Sequence, residues 1–108
     1  MNQLGTLEEA ILLITMYLDE AYGVSVAEEY KKSSGSSISI PAVHTVLRRM
    51  EEKGYVRSKM GEASAQRGGK RKRIYEATAF GFDAIRQIKD QRMKLWSKIP
   101  ELKTSGSR

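Results

Sequence analysis

The chain has 108 residues, 40% of them hydrophobic and 30% charged, a length that supports one domain with one modest core. Cysteine is absent and histidine occurs once, as His44, which excludes disulfides and thiolate chemistry and leaves any His-based metal site or Ser-His-Asp triad a single ring to use. The formal net charge is +6, but residues 1–30 hold no Lys or Arg and six acids (net −6), whereas residues 31–108 carry all 19 bases against seven acids (net +12). Positive charge confined to part of a chain is the footprint of a polyanion binder, against the plainer reading of a domain that is merely basic.

Thr6-Leu7-Glu8-Glu9 predicts a capping box, the Thr6 hydroxyl accepting from the Glu9 amide and Glu9 returning the bond. Leu7, Ala10, Ile11, Ile14, Tyr17 and Leu18 then recur at helical spacing, and Leu12, Leu13 and Met16 widen the stripe. This first helix is expected to be buried on much of its circumference and to touch more than one neighbour. Its apolar run, residues 10–18, is nine residues long with Thr15 inside it, well below the ~20 a membrane helix needs. Glu8 and Glu9 precede that run in place of the lysines of a signal peptide, so the chain reads as soluble and cytoplasmic. Tyr22-Gly23 interrupts the pattern. Ser25-Val26-Ala27-Glu28 predicts a second capping box, opening a short helix to about Lys32 that ends in Ser33-Ser34-Gly35-Ser36-Ser37.

In the third helix Pro41 suits the first turn, where its missing N–H is not needed, with Ser39 beside it as a cap. Val43, Val46, Leu47 and Met50 fall at i, i+3, i+4, i+7 and predict a narrow core stripe, and Gly54 is placed to end the helix in the left-handed conformation. The opposite face shows Pro41, Thr45 and Arg48, flanked by His44 and Arg49. Tyr55-Val56-Arg57-Ser58-Lys59-Met60 and Arg73-Ile74-Tyr75-Glu76-Ala77 read as strands. The connection between them is too long for a tight turn, and a lone hairpin is marginal in water, so it must lie against the helices. Thr78 caps a last helix running to about Lys98, ahead of Pro100, and residues 100–108 read as a disordered tail.

Three helices followed by a hairpin with a basic tip is the order of a winged helix-turn-helix, whose third helix enters the major groove while the wing reaches phosphates or the minor groove. Arg67, Lys70, Arg71, Lys72 and Arg73 put five cations into seven residues around Gly68-Gly69. The glycines allow close backbone approach to a phosphate, and the cations neutralise it and release counterions. A P-loop does not fit the same stretch, because Ser64 stands where its first glycine belongs and Arg71 where it needs Ser or Thr. Neither a pair of carboxylates in contrasting surroundings nor a histidine cluster is visible, so no enzymatic activity and no cofactor are expected. On the last helix Phe82, Ile85, Ile88, Leu95, Trp96 and Ile99 form a stripe more apolar than so small a domain can cover from within. Packing in a homodimer is the economical explanation, with Leu7 and Ile11 of the first helix joining Ile88, Leu95, Trp96 and Ile99. Trp96 reads first as an interface or core anchor and second as a ligand platform.

The chain also resembles a known family. Leu4-Gly5-Thr6-Leu7-Glu8, Tyr22-Gly23-Val24, Leu47-Arg48-Arg49-Met50-Glu51-Glu52-Lys53-Gly54, Arg71-Lys72-Arg73-Ile74-Tyr75 and Ala77-Thr78-Ala79-Phe80-Gly81 are similar, in order and spacing, to successive signatures of PadR-like transcriptional regulators. The resemblance covers about residues 4–99. It implies a mainly α (α+β) winged helix-turn-helix over residues 1–78 and a long C-terminal dimerisation helix over residues 79–99, as in the short members. It further implies a homodimeric repressor that binds double-stranded DNA at a near-palindromic operator. Two positions depart from the family pattern. Where the family has a tyrosine associated with phosphate contact this chain has His44, which reads equally as a surface imidazole bonding to the neighbouring helix. Where some short members carry an aromatic residue lining a drug-binding pore between subunits, this chain has Arg92, with Trp96 one turn later. Arg92 would then sit in the dimer seam, needing Asp90 of the other subunit or a path to solvent. The rival reading of the whole chain is a winged-helix module for RNA or protein contacts.

Overall fold

The computed structural model describes residues 4–62 and 71–101. Within them the chain forms α1 (Thr6–Tyr17), α2 (Gly23–Ser34), α3 (Ile40–Glu52), β1 (Val56–Met60), β2 (Arg73–Ala77) and α4 (Ala79–Trp96). This is the expected order of three helices, an antiparallel hairpin and a last helix. Arg67, Gly68, Gly69 and Lys70 of the predicted wing tip, and the predicted tail from residue 102, lie outside the described residues.

The helix starts correct two of the predicted caps. The N-cap of α1 is Gly5, and Oε1 of Glu8, not Glu9, accepts from its amide at 2.9 Å. Glu8 is thereby drawn inward to 7% exposure, where Lys53 Nζ lies 3.3 Å from its Oε2 and ties the start of α1 to the end of α3. The N-cap of α2 is Tyr22, three residues ahead of the predicted cap at Ser25. Ser25 works from inside its first turn, its Oγ accepting from the Tyr22 amide at 3.0 Å. The other two helices start as predicted: Ser39 Oγ accepts from the Ala42 amide at 3.2 Å, and Thr78 Oγ1 from the Gly81 amide at 3.0 Å. Gly54 takes the left-handed conformation at φ 87°.

The core gathers the predicted α3 stripe, Val43, Val46, Leu47 and Met50, with Ile11, Leu12 and Ile14 of α1, Val26 of α2, Tyr55, Val56 and Tyr75 of the hairpin and Ile85 of α4. Each such aliphatic side chain contributes roughly 1.5–3 kcal/mol by leaving water. The first helix is less enclosed than its sequence suggests, because Leu13 and Tyr17 remain exposed. Ile11, by contrast, has no exposed surface at all. Its expected place in a dimer interface is corrected: the residue is used up in the protein's own core.

The strands pair antiparallel from Val56 opposite Ala77 to Met60 opposite Arg73. The α1–α2 connector adds a rung, since the Tyr75 amide donates to the Ala21 carbonyl at 2.8 Å. This extra bridge supplies the support that a two-stranded hairpin lacks alone. The hairpin also seats α4. A Cβ at Gly81 would lie 2.1 Å from the Tyr55 carbonyl oxygen, so only glycine allows the first turn of α4 to approach this closely. The Phe80 ring stacks on Tyr55 at 5.2 Å beside it. Beyond Ile85 the helix runs on beside α1, with Ile88 and Met93 facing a groove between the two. A helix of 18 residues is ~27 Å long, and the extents of the whole are 56 × 32 × 20 Å. Among the described residues no helix is long and apolar enough to cross a membrane.

Candidate nucleic-acid interface

Burying Val43, Val46, Leu47 and Met50 fixes the rotation of α3, and the helical period then turns Pro41, Thr45, Arg48 and Arg49 to the outside, where all four are exposed. The Thr45 hydroxyl donates back to the Pro41 carbonyl at 3.1 Å, which leaves its methyl and oxygen lone pairs on the surface. Neither the Arg48 nor the Arg49 guanidinium has an ion-pair or hydrogen-bond partner among the described residues. Two unpaired guanidinium groups on one exposed helix face suit bidentate acceptors such as a phosphate or the guanine edge.

His44 lies on the flank of that face and is half-buried. A Cβ at Gly23 would stand 2.5 Å from its Nε2, so the imidazole rests directly on the first residue of α2. The reading of His44 as a group leaning on the neighbouring helix describes its position here.

The wing meets α3 at its far end. Ser58 Oγ donates to Glu51 Oε2 at 2.8 Å and accepts from Arg73 Nη1 at 3.0 Å, linking α3, β1 and β2 in one chain of bonds. The neighbouring Tyr75 phenol has its pKa raised, first by burial and then by the Glu51 carboxylate, with Arg73 and Arg48 acting in the opposite sense. Arg48 of the helix and Arg73 of the wing thus act on one phenol. Arg71 is exposed, its Nε donating to the Gly61 carbonyl at 2.7 Å across the hairpin.

Lys72 departs from expectation. Its Nζ lies 2.5 Å from Glu20 Oε1 and 3.9 Å from the centre of the Tyr22 ring, and its side chain is only 12% exposed. A lysine so placed has no free ammonium for a phosphate, and its expected role as a DNA-contacting wing cation is corrected. The tertiary contact is the reason: just ahead of β2 the side chain reaches the α1–α2 connector, where Glu20 and Tyr22 receive it.

Of the residues expected at a dimer seam, Leu7, Leu95, Trp96 and Ile99 are exposed and Ile88 is half-buried. Ile88 lines a largely apolar groove of about 500 Å³ between α1 and α4, with Leu13, Met16, Phe82 and Met93. Arg92 needs no partner carboxylate from elsewhere: its Nη2 lies 3.1 Å from Glu9 Oε2 of the same chain. Asp90 faces Arg86 and Lys89 instead. The expected need for Asp90 of the other subunit is corrected by a contact between residues 83 positions apart, which periodicity does not reveal.

Sequence reasoning also missed the Glu8–Lys53 pair and the Ala21 rung. The Tyr22-Gly23 motif was the available signal for the α1–α2 connector, since a glycine after an aromatic residue marks a close approach. No group of His, Asp and Glu suited to a metal occurs among the described residues.

The sequence model of the transcriptional regulator PadR-like family matches residues 11–87. Among solved structures, a PadR-like transcription factor from Bacteroides fragilis superposes with a TM-score of 0.74 at 17% identity, covering 86% of this chain and 85% of that one. A PadR-like transcriptional regulator from Bacillus cereus gives 0.73 at 21% identity, covering 95% of both chains. PadR from Bacillus subtilis, solved in complex with operator DNA, gives 0.59 at 16% identity, covering 95% of this chain and 52% of that one. These likenesses establish a shared fold. No curated protein sequence matches the chain significantly.

Proposed function

The chain belongs to the PadR-like family of transcriptional regulators, and from that premise we propose that it is a homodimeric repressor acting on double-stranded DNA at a near-palindromic operator. It is a regulator and not an enzyme. The observation that carries the reading of the site is the outward face of α3, where Thr45, Arg48 and Arg49 stand exposed and both arginines lack ion-pair partners among the described residues. Thr45 and Arg48 read base edges, and Pro41 lets the first turn approach the groove. Arg49 and the wing cations Arg67, Lys70, Arg71 and Arg73 hold phosphates, with Gly68 and Gly69 permitting close backbone approach. His44 steadies α3 from the flank.

The dimer is supported by the exposed apolar residues of α4 and by the groove between α1 and α4. A two-fold pairing covers both at once and sets two α3 helices about 34 Å apart, the spacing of successive major grooves. The solved complex of Bacillus subtilis PadR with operator DNA supports the choice of duplex DNA over RNA or protein. Selecting duplexes from a random pool with purified protein tests the proposal. A near-palindrome with half-sites one helical turn apart is expected, and an unstructured, sequence-independent pool would refute it.

A further inference from the structure

The wing and α3 both approach the same dipeptide. Tyr22 lies under the Lys72 ammonium at 3.9 Å, and Gly23, its neighbour, carries the His44 imidazole so closely that a Cβ would meet Nε2 at 2.5 Å. Glu20, two residues earlier, accepts the ion pair from Lys72 at 2.5 Å. Lys72 also stands at the outer end of the described hairpin: its carbonyl accepts from the Gly61 amide at 2.6 Å, beyond the last pair of the β1–β2 ladder. Whatever holds Lys72 therefore secures the outer end of the hairpin against the α1–α2 connector and sets its angle to the domain.

We propose that Lys72 is a positioning residue, which clasps Glu20 and Tyr22 to fix the angle between the wing and α3, with Tyr22-Gly23 and His44 as the contacts that pass this constraint to the helix. The inference rests on the DNA-binding reading above. Burial of the ammonium strengthens both of its contacts, since a desolvated cation is held more tightly by a ring face and by a carboxylate than one in water. The clasp works together with the Ser58 bridge to Glu51 and Arg73. The bridge attaches the wing to the C-terminal end of α3, and the clasp attaches it, through α2, to the N-terminal half. Two attachments fix an orientation where one leaves a hinge.

A positioning residue and a phosphate contact differ in their salt dependence. Lys72→Met keeps the stem and removes the charge. It is expected to weaken the selected operator about tenfold while leaving random duplex binding and the slope of log K against log salt unchanged. Lys72→Arg, which keeps both contacts, is expected to restore the affinity. Glu20→Gln should weaken the operator in the same sense, and Tyr22→Leu should add little on top of Lys72→Met. A slope reduced by about 0.9, an unchanged operator affinity, or fully additive Tyr22 and Lys72 effects would overturn the proposal. A second measurement needs no DNA: hydrogen exchange at the Tyr75 amide, bonded to Ala21, should quicken in free Lys72→Met, and unaltered exchange would equally overturn it. If the native protein binds no duplex, the functional reading falls, while this exchange measurement still decides on the clasp.

Discussion

Replacing Leu95 by Glu and Trp96 by Ser should convert the protein from dimer to monomer without unfolding it. Both side chains are largely in water, at 58% and 69% exposure, so their loss leaves the domain's own core intact. An aromatic side chain offers ~200 Å², of which Trp96 leaves about two thirds uncovered; at ~25 cal/mol per Å² its full coverage contributes roughly 3.5 kcal/mol. Leu95 adds roughly 1–1.5 kcal/mol on the same scale. A two-fold interface repeats each contact, so the gross apolar contribution approaches ~10 kcal/mol, part of which offsets the lost freedom of the two subunits. If only a third appears as affinity, the dissociation constant rises by more than about a hundredfold. Sedimentation at micromolar concentration reads this directly as a species of twice 12.2 kDa for the native chain against one of 12.2 kDa for the variant. Operator affinity should fall far more than affinity for random duplex, because only paired α3 helices read both half-sites. A native protein that sediments at 12.2 kDa would remove the interface and the palindrome together.

Arg48→Ala should cost about 1–3 kcal/mol on the selected operator and relax one base position; equal losses on operator and random DNA, measured by competition, would make Arg48 a phosphate contact. Changing Lys70 and Arg71 together to Ala should flatten the salt dependence by roughly two units and weaken all duplexes alike, and an unchanged slope in a salt titration would exclude the wing from the interface.

Most of the architecture was legible because it depends on short-range periodicity. The i, i+3, i+4, i+7 stripe of α3 located the core, and by subtraction it located the outward face with Thr45, Arg48 and Arg49. Turn chemistry at Ser39, Gly54 and Thr78 marked element ends within a residue or two. The caps of α1 and α2 were misread for a shared reason: candidate serines, threonines and glutamates stood in adjacent registers, and tertiary contacts chose between them. Glu8 takes the inward position because Lys53 waits there, and Ser25 caps from within the turn because Tyr22 must turn toward the wing. Ile11 and Lys72 were assigned to surfaces for being apolar and basic. Which side of a helix or strand a neighbour covers depends on residues tens of positions away, and the pattern around Ile11 or Lys72 carries no record of it.

The division of charge along the chain gains a more specific meaning from these pairings. Three of the six acids in residues 1–30 meet cations from the later, basic part: Glu8 meets Lys53, Glu9 meets Arg92 and Glu20 meets Lys72. One acid ties the end of α3, one ties α4 and one ties the wing, so the acidic segment serves as a common anchor for the three elements that the proposed function must hold in fixed relation. The same pairings sort the cations. Arg57 is neutralised by Glu76, and Arg86 and Lys89 by Asp83 and Asp90, whereas Lys31, Lys32, Arg48, Arg49, Lys59, Arg71, Arg73, Lys94 and Lys98 carry no ion pair among the described residues. Five of these nine, Arg48, Arg49, Lys59, Arg71 and Arg73, belong to α3 or the hairpin, and the other four lie on α2 and at the end of α4. Net charge alone says only that the protein is basic; setting aside the cations already balanced within the fold leaves the largest group of unpaired ones among the described residues on α3 and the hairpin, where the proposed polyanion would dock.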